Sequence, residues 1–67
     1  MLTGIVKWFN NVKGYGVITP DNGTEDLFAH FTSINMSGPK LLNEGQKVAF
    51  EITQGVKGKQ ASNIQVI

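Results

Sequence analysis

The sequence predicts an all-β fold, a small five-stranded antiparallel barrel with Greek-key connectivity, and three observations carry it. Turn residues cut the chain at short intervals: Gly14 and Gly16, Asp21-Asn22-Gly23, Ser37-Gly38-Pro39, Asn43-Glu44-Gly45, Gly55 and Gly58. The apolar segments between them recur near the ~8–12-residue spacing of small barrels and sandwiches. No window of about 12 residues carries a helical stripe free of Gly or Pro.

Each strand has its own warrant. The first runs from about Gly4 to Asn10 and the second from Tyr15 to Thr19. The third covers Asp26 to Phe31, and Asp21-Asn22-Gly23-Thr24 joins it to the second as a hairpin loop. In the fourth, Lys47 to Gln54, Val48, Phe50 and Ile52 alternate with Lys47, Ala49, Glu51 and Thr53, the period of a half-buried strand. The fifth, Lys59 to Val66, offers Ala61, Ile64 and Val66 to the core. Its alternation slips between Ala61 and Ile64, which marks a bulge. Gly55-Val56-Lys57-Gly58 turns the fourth strand into the fifth. The long connection from Thr32 to Gln46, with room for one helical turn at Thr32 to Met36, is what a Greek key requires.

Sixty-seven residues make one domain, spanning residues 1–67, with a thin core. There is no cysteine, so disulfides and thiolate metal sites are excluded, and His30 is the only histidine. No metal or cofactor is expected. Met1-Leu2-Thr3-Gly4 opens no signal peptide, and every apolar run is far shorter than the ~18 residues of a membrane span. The expected state is soluble and cytoplasmic. The formal net charge is +1, with six Lys and no Arg, so bulk charge does not announce nucleic acid. Its distribution says more: residues 1–20 hold Lys7 and Lys13 and no acid. Without Arg, the usual bidentate reader of guanine in a duplex groove is missing.

Strands two and three carry the functional signal. Tyr15, Val17 and Thr19 share one face, opposite Gly14, Gly16 and Ile18. In strand three, either Phe28 and His30 point inward or Leu27 and Ala29 do. The second register buries no imidazole and no phenol, and so leaves no unpaired polar group inside. It puts Tyr15, Phe28 and His30 on the outer face of adjacent strands. Trp8 and Phe9 then extend the patch, flanked by Lys7 and Lys13. Exposed rings among lysines suit single-stranded nucleic acid, because each base offers a π-face and each phosphate a charge. Taken singly, each feature has a plainer explanation. A lone Trp in a small barrel is more often core, a lone His is more often structural, and Gly14 and Gly16 serve any tight bend. The cluster, not one residue, carries the reading.

Lys13-Gly14-Tyr15-Gly16-Val17-Ile18 resembles the first ribonucleoprotein motif of the bacterial cold shock proteins, and Leu27-Phe28-Ala29-His30-Phe31 resembles the second. Gly4-Ile5-Val6-Lys7-Trp8-Phe9-Asn10, Ile18-Thr19-Pro20-Asp21 and Glu44-Gly45-Gln46-Lys47-Val48 extend the likeness over essentially the whole chain. It implies a barrel of the oligonucleotide-binding (OB) type, binding to single-stranded RNA or DNA, and RNA-chaperone activity. It implies stacking or contact roles for Trp8, Phe9, Tyr15, Phe28, His30 and Phe31, and phosphate or polar contacts for Lys7, Asn10, Lys13 and Asp26. Three positions depart from the pattern. Val17 replaces a second aromatic of the first motif, Pro39 stands where many members carry Phe or Tyr, and Lys59 follows Gly58 where Pro is common. Val17 and Pro39 each weaken a stacking subsite, whereas Lys59 is a candidate phosphate contact.

Two other classes compete with this reading. A polyproline-binding module also uses exposed aromatics, but such grooves often add acids, whereas Lys7 and Lys13 flank these rings. An enzyme would need converging groups. Asp26 and His30 lie roughly 13 Å apart along a strand, and no Ser sits in a nucleophile motif. The expectation is a non-enzymatic binder of single strands, with no membrane and no small-molecule substrate. It is a monomer by default, with strand exchange through the long connection as a route to a dimer.

Overall fold

The computed structural model describes residues 1–36, 41–55 and 58–67, and burial alternates with period two along its second and third strands. In β2 (Tyr15–Pro20) Gly16, Ile18 and Pro20 are buried while Tyr15, Val17 and Thr19 are half-exposed. In β3 (Leu27–His30) Leu27 and Ala29 are buried and Phe28 and His30 are not, so the aliphatic-inward register holds. β1 (Leu2–Asn10), β4 (Lys47–Gly55) and β5 (Gly58–Val66) complete a closed barrel in the order β1-β2-β3-β5-β4. Four neighbour pairs are antiparallel. The fifth, β3 with β5, is parallel through Phe28 and Gln60. A ring of five cannot alternate direction all the way round, so closure itself requires one parallel seam.

Two bulges set which way side chains point. Val6 pairs with Ile18 but Trp8 pairs with Val17, so Lys7 is an extra residue in β1. Lys7 and Trp8 therefore both face outward, and Phe9 packs against the core. In β5, Ser62 faces Glu51 and Gln65 faces Ala49, so three steps of β5 match two of β4. The slip expected between Ala61 and Ile64 is this bulge. Asn63 takes it up at φ +48°, a left-handed conformation that Asn tolerates better than most residues.

The core joins Val6, Ile18, Leu27, Ala29, Val48, Phe50, Ala61 and Ile64 from the strands with Ile34 and Leu42 from the long connection. Those last two anchor the connection. Ile34 bridges to Ile64 beyond a 3₁₀ turn at Phe31–Ser33. Leu42 is held by the Asn11 carboxamide, which accepts from its N–H and donates to its C=O, each at 3.3 Å. The residues at 37–40 and 56–57, Pro39 among them, lie outside the described residues.

Some strand readings need correction. β1 starts at Leu2 rather than Gly4. β3 is shorter than Asp26 to Phe31, with Asp26 before it and Phe31 already in the 3₁₀ turn, one residue ahead of the turn expected at Thr32. Ile52 shares a face with its partner Ala61 yet is 40% exposed. β1 accompanies β4 only as far as Phe50, so Ile52 stands beyond the closed part of the barrel. Val66 is exposed as well, because β3 pairs with β5 only at Gln60 and leaves the end of β5 paired on one side.

Among the described residues, two ion pairs lie on the outside. Lys47 and the Thr3 hydroxyl both donate to Asp21 Oδ2, and together they hold the Asp21 carboxyl below its ordinary 3.8. A carboxyl lowered in the folded state contributes stability that is complete above its ordinary value and is lost as pH falls through the folded value. Asp21→Asn is therefore expected to flatten the loss of stability below about pH 4, measured by urea unfolding at stepped pH. Ile18→Ala, which empties a fully buried site, is expected to cost ~2–5 kcal/mol. A domain of this size has little more than that to lose, so its thermal transition should fall steeply or vanish in circular dichroism.

Candidate nucleic-acid interface

The outer wall of β1, β2 and β3 carries a small lattice of side chains. Trp8, Val17 and Phe28 form one row across the strands, and Asn10, Tyr15 and His30 form the next. The rings are close enough to touch. Tyr15 and Phe28 have centroids 5.9 Å apart with planes inclined by 26°, and Phe28 and His30 are 6.4 Å apart at 30°. Trp8 meets Tyr15 edge-on at 6.0 Å and 75°. His30 and Phe31 are 4.7 Å apart. Such offset and edge-to-face contacts are the favoured arrangements of aromatic pairs. The result is a run of five rings from Trp8 to Phe31, of which Trp8 is 40% and Phe31 42% exposed.

Two glycines bring this run close to the backbone. A Cβ on Gly16 would come within 2.7 Å of Phe9 Cα and would also collide with the Trp8 carbonyl, so β1 and β2 meet tightly beneath Trp8. Gly14, at φ +81°, lies under Phe31, whose Cδ1 would be 2.6 Å from a Cβ there. The Phe31 N–H donates to the Gly14 carbonyl at 2.8 Å, which ties the second motif to the first.

Polar groups fix the surroundings. The Asn10 Oδ1 accepts from the Val12 and Lys13 amides at 3.0 and 2.9 Å, so this oxygen is committed to the β1–β2 turn. His30 Nδ1 accepts from the Thr32 N–H at 3.3 Å and lies 2.9 Å from its hydroxyl. An amide N–H can only donate, so Nδ1 is the bare nitrogen and the ring proton sits on Nε2. Lys7 Nζ pairs with Asp26 Oδ2 at 3.1 Å. That ammonium, followed by the Thr19 hydroxyl, holds the Asp26 carboxyl below its ordinary value. Lys13 is exposed beside the rings and forms no ion pair among the described residues.

The sequence-derived residues thus divide. Trp8, Tyr15, Val17, Phe28, His30 and Phe31 come together on one wall, with Lys7, Lys13, Asn10 and Asp26 around it. Phe9 does not join them, because the bulge at Lys7 turns it onto the core. Lys59 lines an open hollow of about 800 Å³ that it shares with Asp26 and with Asn22, Glu25, Leu27 and Ile52. Sequence reasoning missed the Lys7 bulge and the Thr32 clamp on His30. A Thr two residues after a His is too common a pattern to be a signal. Among the described residues no group of three His, Cys, Asp or Glu is placed to hold a metal, and no helix is long and apolar enough to cross a membrane.

A closed five-stranded barrel in the order β1-β2-β3-β5-β4 is the OB class of fold. The family described as the 'Cold-shock' DNA-binding domain matches residues 2–67. A cold shock-like protein of Stigmatella aurantiaca, CspA, is 58% identical over 67 residues, covering all of this chain and 98% of its own length. CspG of Shewanella violacea is 61% identical over 62 residues, 92% of this chain and 89% of that protein. CspE of Escherichia coli is 54% identical over 63 residues, 94% and 91% of the two chains. The chain belongs to the cold shock domain family, a family of nucleic-acid-binding proteins.

The contact at Gly16 is checked by Gly16→Ala. Its Cβ collides with main chain rather than with a flexible side-chain end, so the strands must part. The variant is expected to melt well below the parent and to show red-shifted Trp8 emission, read by thermal denaturation and fluorescence.

Proposed function

We propose that this protein binds single-stranded RNA or DNA by stacking bases on Trp8, Tyr15, Phe28, His30 and Phe31, and that it acts as an RNA chaperone. The observation that supports this best is the run of touching, half-exposed rings on one wall. Stacking is worth ~1–3 kcal/mol per base, so a few rings suffice without a large net charge. A protein that holds the unpaired strand and not the duplex shifts melting towards the open form by mass action, without ATP. Sequence preference is mild, because every base has a π-face.

Val17 sits between Trp8 and Phe28 in the outer row. An aliphatic side chain there packs against a base but offers no ring, so this subsite is the weak one. Lys13 and Lys7 supply phosphate contacts, with Lys7 drawn from its pair with Asp26. Lys59 adds a third only where the strand runs on past β3.

The test is a titration of Trp8 fluorescence with a short oligo-dT, repeated with a duplex of equal length. Quenching by the single strand alone is expected. No quenching by the single strand would sink the proposal. Phe28→Ala, with circular dichroism as the folding control, is expected to weaken binding about 5- to 150-fold. Two or three phosphate contacts set a log–log salt slope of about −1.4 to −2.1, and a slope near −5 would mean that charge rather than stacking dominates.

A further inference from the structure

The loop between β2 and β3 holds an arrangement that the wall of rings does not use. Asn22 is followed by Gly23, and both are exposed together with Thr24. Of the six asparagines it alone precedes a glycine. The Asn22 Oδ1 accepts from the Thr24 hydroxyl at 2.7 Å and from the Thr24 N–H at 3.1 Å. Both donors lie one residue past Gly23, so the side chain is turned forward along the chain, which brings its Cγ toward the Gly23 nitrogen. Among the described residues the Asn22 Nδ2 makes no hydrogen bond. A Cβ on Gly23 would meet nothing within 4 Å, so that side of the loop is open. Other asparagines are held differently. Asn11, Asn35 and Asn63 donate from Nδ2 to the Leu42 carbonyl, Asn63 Oδ1 and Glu51 Oε2. Asn10 Oδ1 is committed to two amides of the β1–β2 turn.

A carboxamide so placed is open to attack by the next main-chain nitrogen. We propose that Asn22 is a site of spontaneous deamidation through a cyclic imide, and that Thr24 promotes the reaction. Base in the solvent removes the Gly23 N–H proton, and the nitrogen attacks Asn22 Cγ. A new C–N bond forms, the Cγ–Nδ2 bond breaks, and the amino group leaves as ammonia with a proton from water. Water then opens the imide at either carbonyl, which leaves aspartate or isoaspartate at position 22. Nothing is oxidised or reduced. Negative charge gathers on Oδ1 during the attack, where the Thr24 hydroxyl and N–H already point. One contact opposes the step: the Gly23 N–H donates to the Pro20 carbonyl at 3.3 Å. That is longer than the usual N–H···O bond and is readily given up on an exposed loop. Either product sets a carboxylate beside Glu25 and Asp26 and takes the net charge from +1 to zero. Isoaspartate also adds a main-chain methylene within the turn from Pro20 to Gly23.

The experiment ages the folded protein in mildly alkaline buffer made with water enriched in heavy oxygen, which labels each new carboxylate. Tryptic peptides are sequenced by mass spectrometry, and Gly14–Lys40 carries Asn22. Label is expected at position 22 while the other five asparagines stay intact. Part of the product is expected to accept a methyl group from an isoaspartyl methyltransferase. Thr24→Val keeps the N–H and loses the hydroxyl, and melting curves check that it folds. It is expected to slow the loss of Asn22 about 3- to 10-fold, the worth of one neutral hydrogen bond. In concentrated urea the two chains are expected to react at one rate, because an unfolded loop holds no such bond. Equal rates for the two folded proteins, or the same slowing in urea, would overturn the role of Thr24. An Asn22 that survives in the folded protein but is lost in urea would overturn the site, since the fold would then be protecting it.

Discussion

A ring of five short strands encloses little volume, and what that interior accepts decides the rest of the molecule. Here it holds aliphatic side chains and one large ring, Phe50, with Phe9 packed alongside. Strand alternation then leaves every other residue of β2 and β3 outside. Once Ile18, Leu27 and Ala29 are taken inside, Tyr15, Val17, Phe28 and His30 have no alternative but the outer wall. Core and interface are thus two readings of one constraint. The face left outside is apolar because the strands that build it need bulky, strand-forming residues on both sides.

Closure adds two consequences. It gives every strand two neighbours over part of its length and so shortens the free edges that in an open sheet invite pairing with other chains. It also forces one parallel contact into the ring, and that seam sets Gln60 beside Phe28. The bulge at Lys7 is equally consequential. Without the extra residue, Trp8 would follow Val6 into the core and Phe9 would take its place outside. One inserted residue therefore places Trp8 in the row of rings and puts the Lys7 ammonium outside beside it.

Electrostatics on the surface are restrained. Lys7 and Lys47 are each tied to a carboxylate, and the net charge is only +1. A surface of this kind does not attract polyanions over long distances as a strongly basic one does. Its affinity has to come from contact, which agrees with rings set edge to face and offset rather than scattered. Lys13 is exposed and forms no ion pair among the described residues.

The sequence by itself determined the strand count, the inward set of β2 and β3, the slip in β5 and most of the ring cluster. These are local properties: alternation is written residue by residue, and turn residues announce themselves. Tertiary structure alone decided where Phe9 points, because a bulge depends on how two strands match in length and not on either sequence. It alone brought Ile34 and Leu42 into the core, since a connection without periodicity does not reveal which residues it buries. It left Ile52 and Val66 exposed, because a strand's alternation does not say where its neighbours end. And it joined Phe28 to Gln60, residues far apart in the chain, because only closure of the ring makes β3 and β5 neighbours.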